Sequence, residues 1–297
     1  MTNLPKDIAS DAGDIIHKYE FSHFDFGHID EGQPFLLDYE AGNYMQNKFV
    51  NLIFKTLPYF ALTEQEFSEY KDYSTEYINE KALNRIVRPG TTAGDYGEIT
   101  LFLLLEIFYG SKKLVTKVKY KTPGDMPVFG SDTAHFTEEN DGEIVLWFGE
   151  AKFYVNFSSA LDAAFKSVTS FLKAGVKKEI EFLTPDKIEI NKNVDSELWR
   201  KVINIIDSKK SLDSLGLKIP VLIMYECSSL GDFDCSDSCE FQNLLKNEFE
   251  NKFDKIKERK WVKEYFKNLS FVFFLLPIHD VKSMKNIIRL KDDGRRS

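Results

Sequence analysis

The feature that most constrains this chain is an apolar run that ends in an acid–lysine pair. Ile144-Val145-Leu146-Trp147-Phe148 reads as a strand inside a sheet, and it continues directly into Gly149-Glu150-Ala151-Lys152. Side chains two apart on a strand share a face, so Glu150 and Lys152 project together from an interior element. Burying such a pair is costly unless partners or a metal satisfy it. A buried salt bridge, or a strand end reaching solvent, is the plain alternative. Three further Glu-x-Lys triplets, Glu69-Tyr70-Lys71, Glu250-Asn251-Lys252 and Glu258-Arg259-Lys260, lie in polar, helix-like stretches and read as solvated faces. Context singles out Glu150.

The preceding hairpin adds a second carboxylate. Asn140-Asp141-Gly142 suits a three-residue connection with glycine in the left-handed position. That register sets Glu139 opposite Glu143, and counting back along both strands sets Asp132 opposite Glu150 on the same face. A loop of another length would move Asp132 by a residue. Two carboxylates that close repel unless a cation bridges them, and a hard ion such as Mg²⁺ is the natural occupant. His135, three residues after Asp132, faces the other way by strand alternation and reads as structural.

The elements around the hairpin are expected in a particular order. A helix over Glu98–Tyr109 precedes a strand over Lys113–Lys121 with one wet face, carrying Lys117, Lys119 and Lys121. Strands over Phe129–Thr137 and Glu143–Val155 follow, then a helix over Ser158–Ala174 closed by Gly175. Later, Ile219–Cys227 and Leu269–Ile278 read as buried strands. Phe241–Lys267 and Val281–Leu290 read as helices, the first with a break. Upstream, residues 1–60 read as irregular apart from a helix over Tyr44–Phe54, and a second helix is expected over Thr63–Ile86. The fold class is therefore α/β: a mixed central sheet flanked by helices, with an N-terminal, mainly helical part. Pro89-Gly90-Thr91-Thr92 marks a break, dividing a helical region, 1–88, that suits partner binding from a core domain, 89–297.

Composition narrows the function classes. A formal charge of −8 weighs against a chain that grips nucleic acid unaided, because phosphate neutralisation drives such binding. It suits an enzyme whose substrate is delivered by a partner. The most apolar runs, Ile99–Leu105 and Phe271–Ile278, are too short to span a bilayer, and no signal-peptide pattern opens the chain. Three cysteines then fit a reducing compartment, and the reading is cytoplasmic, with no membrane partner. Cys227, Cys235 and Cys239 match no common zinc spacing. His23 and His28, flanking Asp25 in an aromatic stretch, suit a surface or partner contact better than a metal site.

Glu98 has two readings. Asp95-x-x-Glu98 fits a capping box, in which the glutamate serves only the helix start. Alternatively the helix begins near Thr92, and Glu98 faces the sheet one turn before Leu101 and Phe102. The pattern alone leaves both open.

A glutamate on a helix, an aspartate opening the second strand and Glu-x-Lys on the third resemble the PD-(D/E)XK nuclease pattern. More narrowly, three segments resemble the HamA family, the nuclease subunit of Hachiman antiphage defence. They are Gly97-Glu98-Ile99-Thr100-Leu101, Gly130-Ser131-Asp132-Thr133-Ala134-His135 and Gly149-Glu150-Ala151-Lys152-Phe153-Tyr154. The likeness covers roughly residues 85–175, with later elements fitting in outline and the first 80 residues not aligned. The glutamine motif of some such nucleases is not evident after Lys152.

The resemblance implies a restriction-endonuclease-like core and hydrolysis of DNA phosphodiesters by Glu98, Asp132, Glu150 and Lys152. It implies Mg²⁺, with Mn²⁺ as a substitute, held by Asp132, Glu150, the carbonyl of Ala151 and Glu98. It also implies a HamB-like superfamily-two helicase as partner. DNA phosphates would meet Lys166 and Lys173 on the following helix, with Lys177 and Lys178 after it, or Lys117, Lys119 and Lys121 on the strand. Solvated helix faces, or lysines protecting a sheet edge, are the alternatives. A non-catalytic subunit of nuclease-like fold that docks or regulates the helicase is the competing function.

Overall fold

The computed structural model describes residues 4–296 apart from 21–24, 28, 87–93, 121–130, 141, 191–194, 208–215, 236 and 262–267, and apart from the side chains of 119, 120, 174 and 296. The chain begins α1 (Lys6–Ile15), β1 (Ile16–Lys18), β2 (Glu31–Leu37), β3 (Tyr39–Glu40), β4 (Asn43–Tyr44). Helices α2 (Gln46–Ala61), α3 (Glu64–Tyr70), α4 (Thr75–Ile86) and α5 (Gly94–Phe108) follow. Then come β5 (Lys112–Lys113), a 3₁₀ turn (Lys117–Tyr120), β6 (Thr133–Glu138) and β7 (Ile144–Phe153). Next are α6 (Phe157–Ser170), a π turn (Phe171–Gly175), α7 (Val176–Phe182) and α8 (Ser196–Asp207). The chain closes with β8 (Gly216–Glu226), α9 (Cys239–Lys257), β9 (Leu269–Ile278) and α10 (Val281–Arg296).

Seven strands form one sheet in the order β1-β2-β9-β8-β7-β6-β5. The interior pairs β7–β8, β8–β9 and β9–β2 are parallel, while β5–β6, β6–β7 and β1–β2 are antiparallel. Parallel strands buried on both faces need near-continuous apolar sequence. β8 and β9 meet that need: Phe271, Phe273, Phe274 and Leu275 are fully buried. The two faces of β7 have different neighbours. A side chain at Gly149 would meet Leu101 of α5 at 2.6 Å, whereas Phe148 packs on Phe171 of the π turn with ring centres 5.7 Å apart. Odd residues of β7 therefore face α5, and even residues face α6 and its extension.

Several expectations change. The helix expected over Thr63–Ile86 is two helices. Thr63 and Glu66 form a capping box at the start of α3, and Ser74 Oγ accepts from Tyr77 N at 3.3 Å to start α4. Gly175 does not close α6. Its φ of −89° is helical, and it is needed because the ring of Phe171 lies 2.6 Å from where a Cβ would stand. The described part of the strand expected over Lys113–Lys121 is not a strand with a wet face. Among the described residues only Lys112–Lys113 form a strand against β6, and a 3₁₀ turn begins at Lys117. The N-terminal residues, besides helices, supply β1 and β2 to the common sheet. The expected break at Pro89–Thr92 lies outside the described residues.

Candidate metal centre

The hairpin register brings the site together. Thr133 pairs with Gly149 and Glu138 with Ile144, while Glu139 N donates to Glu143 O at 2.8 Å. Gly142 adopts φ +80°, a conformation that favours glycine. One step beyond the Thr133–Gly149 pair, Asp132 N donates to Gly149 O at 2.8 Å. Asp132 therefore stands at the end of the β6–β7 ladder, just outside β6, and within electrostatic reach of Glu150.

The Asp132 side chain is tied to the backbone of β7. Its Oδ2 accepts from Ala151 N at 2.8 Å. On a strand, a residue's N–H and C=O point to the same side, so the Ala151 carbonyl is directed toward Asp132 as well. Glu150 is 5% exposed and pairs with Lys152 two residues on. Burial, and then the nearby charge of Asp132, push the Glu150 carboxyl from 4.5 up to about 7, against the opposing pull of Lys152 and a hydrogen bond from Ser167 of α6. Burial alone would pull the Lys152 ammonium down, but the charges of Glu150 and Asp132 outweigh it and hold it above its ordinary value. Burial thus outweighs the favourable pull of Lys152 on the Glu150 carboxyl.

Glu98 belongs to α5, which is already helical at Gly94. It lies in the second turn, so it is not the third residue of a capping box begun at Asp95. α5 packs on β7 at Gly97, where a Cβ would stand in ordinary contact, 3.5 Å from Ala151 Cβ. That places the half-buried Glu98 at the level of Ala151.

Lys117 was expected on a wet face. It is 5% exposed; its ammonium pairs with Glu179 of α7 and donates to Ser131 O and Ser131 Oγ, both at 2.6 Å. Burial pushes this ammonium down, while Glu179, Asp132 and Glu98 pull it up. Sequence reading missed Glu179, Ser131 and Ser167, because no spacing rule links α6 or α7 to the hairpin. Lys166, Lys173, Lys177 and Lys178 are exposed. The Lys119 side chain and all of Lys121 lie outside the described residues, as do His23 and His28. His135 is buried on the α5 face, against Phe102 and within 3.1 Å of Ser111 Oγ. The three cysteines are free thiols.

Among the described residues, no three His, Cys, Asp or Glu side chains form a ready-made metal cage. The groups that could serve a hard ion are the Asp132 and Glu150 carboxylates and the Ala151 carbonyl; Glu98 belongs to α5, which packs on the face of β7 opposite Glu150 and Lys152. Zinc prefers cysteine and histidine, whereas Mg²⁺ takes one or two carboxylates and keeps its water. The residues present fit Mg²⁺. A separate cavity of about 250 Å³ is lined by Leu62, Phe67, Phe102, Glu106, Lys113 and Glu189, among others. Its polar groups serve the fold: Lys113 Nζ caps the end of α2 at the Tyr59 and Leu62 carbonyls, both 2.8 Å away. Glu106 accepts from Lys113 N at 3.0 Å, and Glu189 from Glu64 N at 3.1 Å.

Among the described residues, no helix is long and apolar enough to cross a membrane. A model of the HamA family matches residues 15–288, far beyond the three motifs around the site. No curated protein matches the chain.

Proposed function

The chain belongs to the HamA family, and from that premise we propose that it is a metal-dependent deoxyribonuclease whose site is Asp132, Glu150, Lys152 and Glu98. Membership implies a component of Hachiman antiphage defence. The observation that carries the catalytic reading is the Asp132 carboxylate, bonded to Ala151 N at the end of the ladder, acting on the buried Glu150 carboxyl, which is driven to about 7. A fold gains nothing from that juxtaposition, but a cation site needs it.

In this reading Asp132, Glu150 and the Ala151 carbonyl hold Mg²⁺, with Mn²⁺ as a substitute, and Glu98 completes the acidic rim from α5. When bound, the ion supplies Lewis-acid activation of water and charge neutralisation at the scissile phosphate. Glu150 anchors Lys152, and the Lys152 ammonium orients water and offsets charge developing on the phosphate. Asp132 spends one carboxylate oxygen on Ala151 N, which fixes the direction of the other. In this reading DNA phosphates meet the exposed Lys166 and Lys173, on α6 and the turn after it. With a net charge of −8, unaided DNA affinity is weak, which supports delivery of substrate by a HamB-like helicase.

The test is cleavage of plasmid DNA by the full chain with Mg²⁺, with and without that helicase. Weak nicking is expected from the chain alone, strengthening with the active helicase and disappearing in Glu150→Ala and Lys152→Ala. Equal cleavage by both variants refutes the assignment. Absence of cleavage under every condition, with intact helicase binding, favours the docking subunit.

A further inference from the structure

We propose that the buried Lys117–Glu179 pair is a positioning device: it clamps Ser131, thereby fixes Asp132, and so sets how tightly the site holds a divalent cation. This rests on reading Asp132 and Glu150 as metal ligands. Three observations carry it.

The first is a donor count. A lysine ammonium has three N–H groups. In this chain they meet Ser131 O, Ser131 Oγ and Glu179. None is left for a phosphate, and the ammonium is closed off from solvent.

The second is location. Ser131 immediately precedes Asp132, and Asp132 stands just outside the start of β6. Asp132 is held to β7 through its own N–H and its Oδ2. The Lys117 ammonium grips both the carbonyl and the hydroxyl of Ser131. That hydroxyl also lies 3.2 Å from Glu179 Oε1 and from Thr133 O, either of which takes its proton. The 3₁₀ turn and α7 are thereby tied to the residue that aims Asp132.

The third is cost. Glu179 is fully buried, and desolvating an ion pair commonly offsets its attraction, so apolar residues of like volume would hold the fold as well. The pair earns its place through what it orients. Its cationic member is also close enough to Asp132 and Glu98 for their charges to act on it, which moderates repulsion along the acidic rim.

The experiment is calorimetric titration of the full chain with Mn²⁺, comparing wild type, Asp132→Asn, and the neutral, volume-matched double variant Lys117→Met with Glu179→Gln. Thermal unfolding in EDTA and cleavage kinetics run alongside. The double variant is expected to unfold near the wild-type temperature, yet bind Mn²⁺ about 10- to 100-fold more weakly, the usual effect of removing an outer-shell partner. Its kcat falls, while KM for DNA and the salt dependence stay put. Wild-type Mn²⁺ affinity with lowered stability shows a merely structural pair and overturns the proposal. A raised KM with a shallower salt slope makes Lys117 a phosphate contact and overturns it too. Should the double variant fail to fold, Ser131→Ala removes the hydroxyl half of the clamp and is expected to weaken Mn²⁺ a few-fold; unchanged affinity there is equally damaging. If wild type binds no Mn²⁺ and Asp132→Asn changes nothing, the metal-site reading itself fails, a pattern distinct from the others.

Discussion

Replacing Glu150 by glutamine removes a charge the metal-free fold tolerates badly. Moving a carboxyl from 4.5 to about 7 on folding penalises its ionised form by about 3 kcal/mol. The residue is 5% exposed, so solvent screening takes little from that figure. Glutamine is nearly isosteric and neutral, and the figure already includes the favourable pull of Lys152 on the ionised form. The gain is therefore about 3 kcal/mol, or about 6 °C in Tm for a chain of this size. The sign follows from linkage: a carboxyl with a raised folded pKa contributes stability that is present below pH 4.5 and lost as pH rises through about 7. Glu150→Gln should therefore unfold at higher temperature than wild type at pH 8 in EDTA, with the gap closing by pH 5. Millimolar Mn²⁺ should raise the wild-type Tm and leave the variant unmoved, since only a bound ligand stabilises. Differential scanning fluorimetry reads each of these melts. A variant less stable than wild type at pH 8 without metal would refute the claim that burial and Asp132 penalise the ionised Glu150 carboxyl.

Two further outcomes follow from the faces of the sheet. Burial, then Lys113 and Lys117, drive His135 from 6.5 to about 3, so it stays neutral when folded and its contribution is lost as pH falls below 6.5. Urea unfolding should show about 3 kcal/mol less stability at pH 4.5 than at pH 7 from this group, and His135→Asn should flatten that slope; parallel profiles would contradict it. Gly149→Ala places a Cβ 2.6 Å from Leu101 Cδ2 and 3.3 Å from Pro220 Cγ. The resulting overpacking should cost about 1 to 2 kcal/mol in chemical denaturation, whereas unchanged stability would mean that α5 does not lie against β7 as described.

The hairpin was legible where local rules applied. Loop chemistry at Asn140–Gly142 fixed the hairpin register, and alternation along β7 then separated Glu150 and Lys152 from Ala151 and Phe153. The helix carrying Glu98 was legible from its apolar run. Lys117 misled because alternating lysines look the same on a wet strand and on a turn whose ammonium is buried. Only Glu179, far along the chain, separates the two cases. The N-terminal strands were equally hidden. β2 is Glu31–Leu37, with Gly32 and Pro34 diluting any strand signal, and its partner β9 lies at the opposite end of the chain. Gly175 looked like a helix stop, but its role is to admit the ring of Phe171.

Crystals of the chain soaked in Mn²⁺ and measured at the manganese edge locate the ion directly. An anomalous peak shared by the Asp132 carboxylate, the Glu150 carboxylate and the Ala151 carbonyl is the predicted result. Density at any other place, with Glu150 still locked to Lys152, would contradict it.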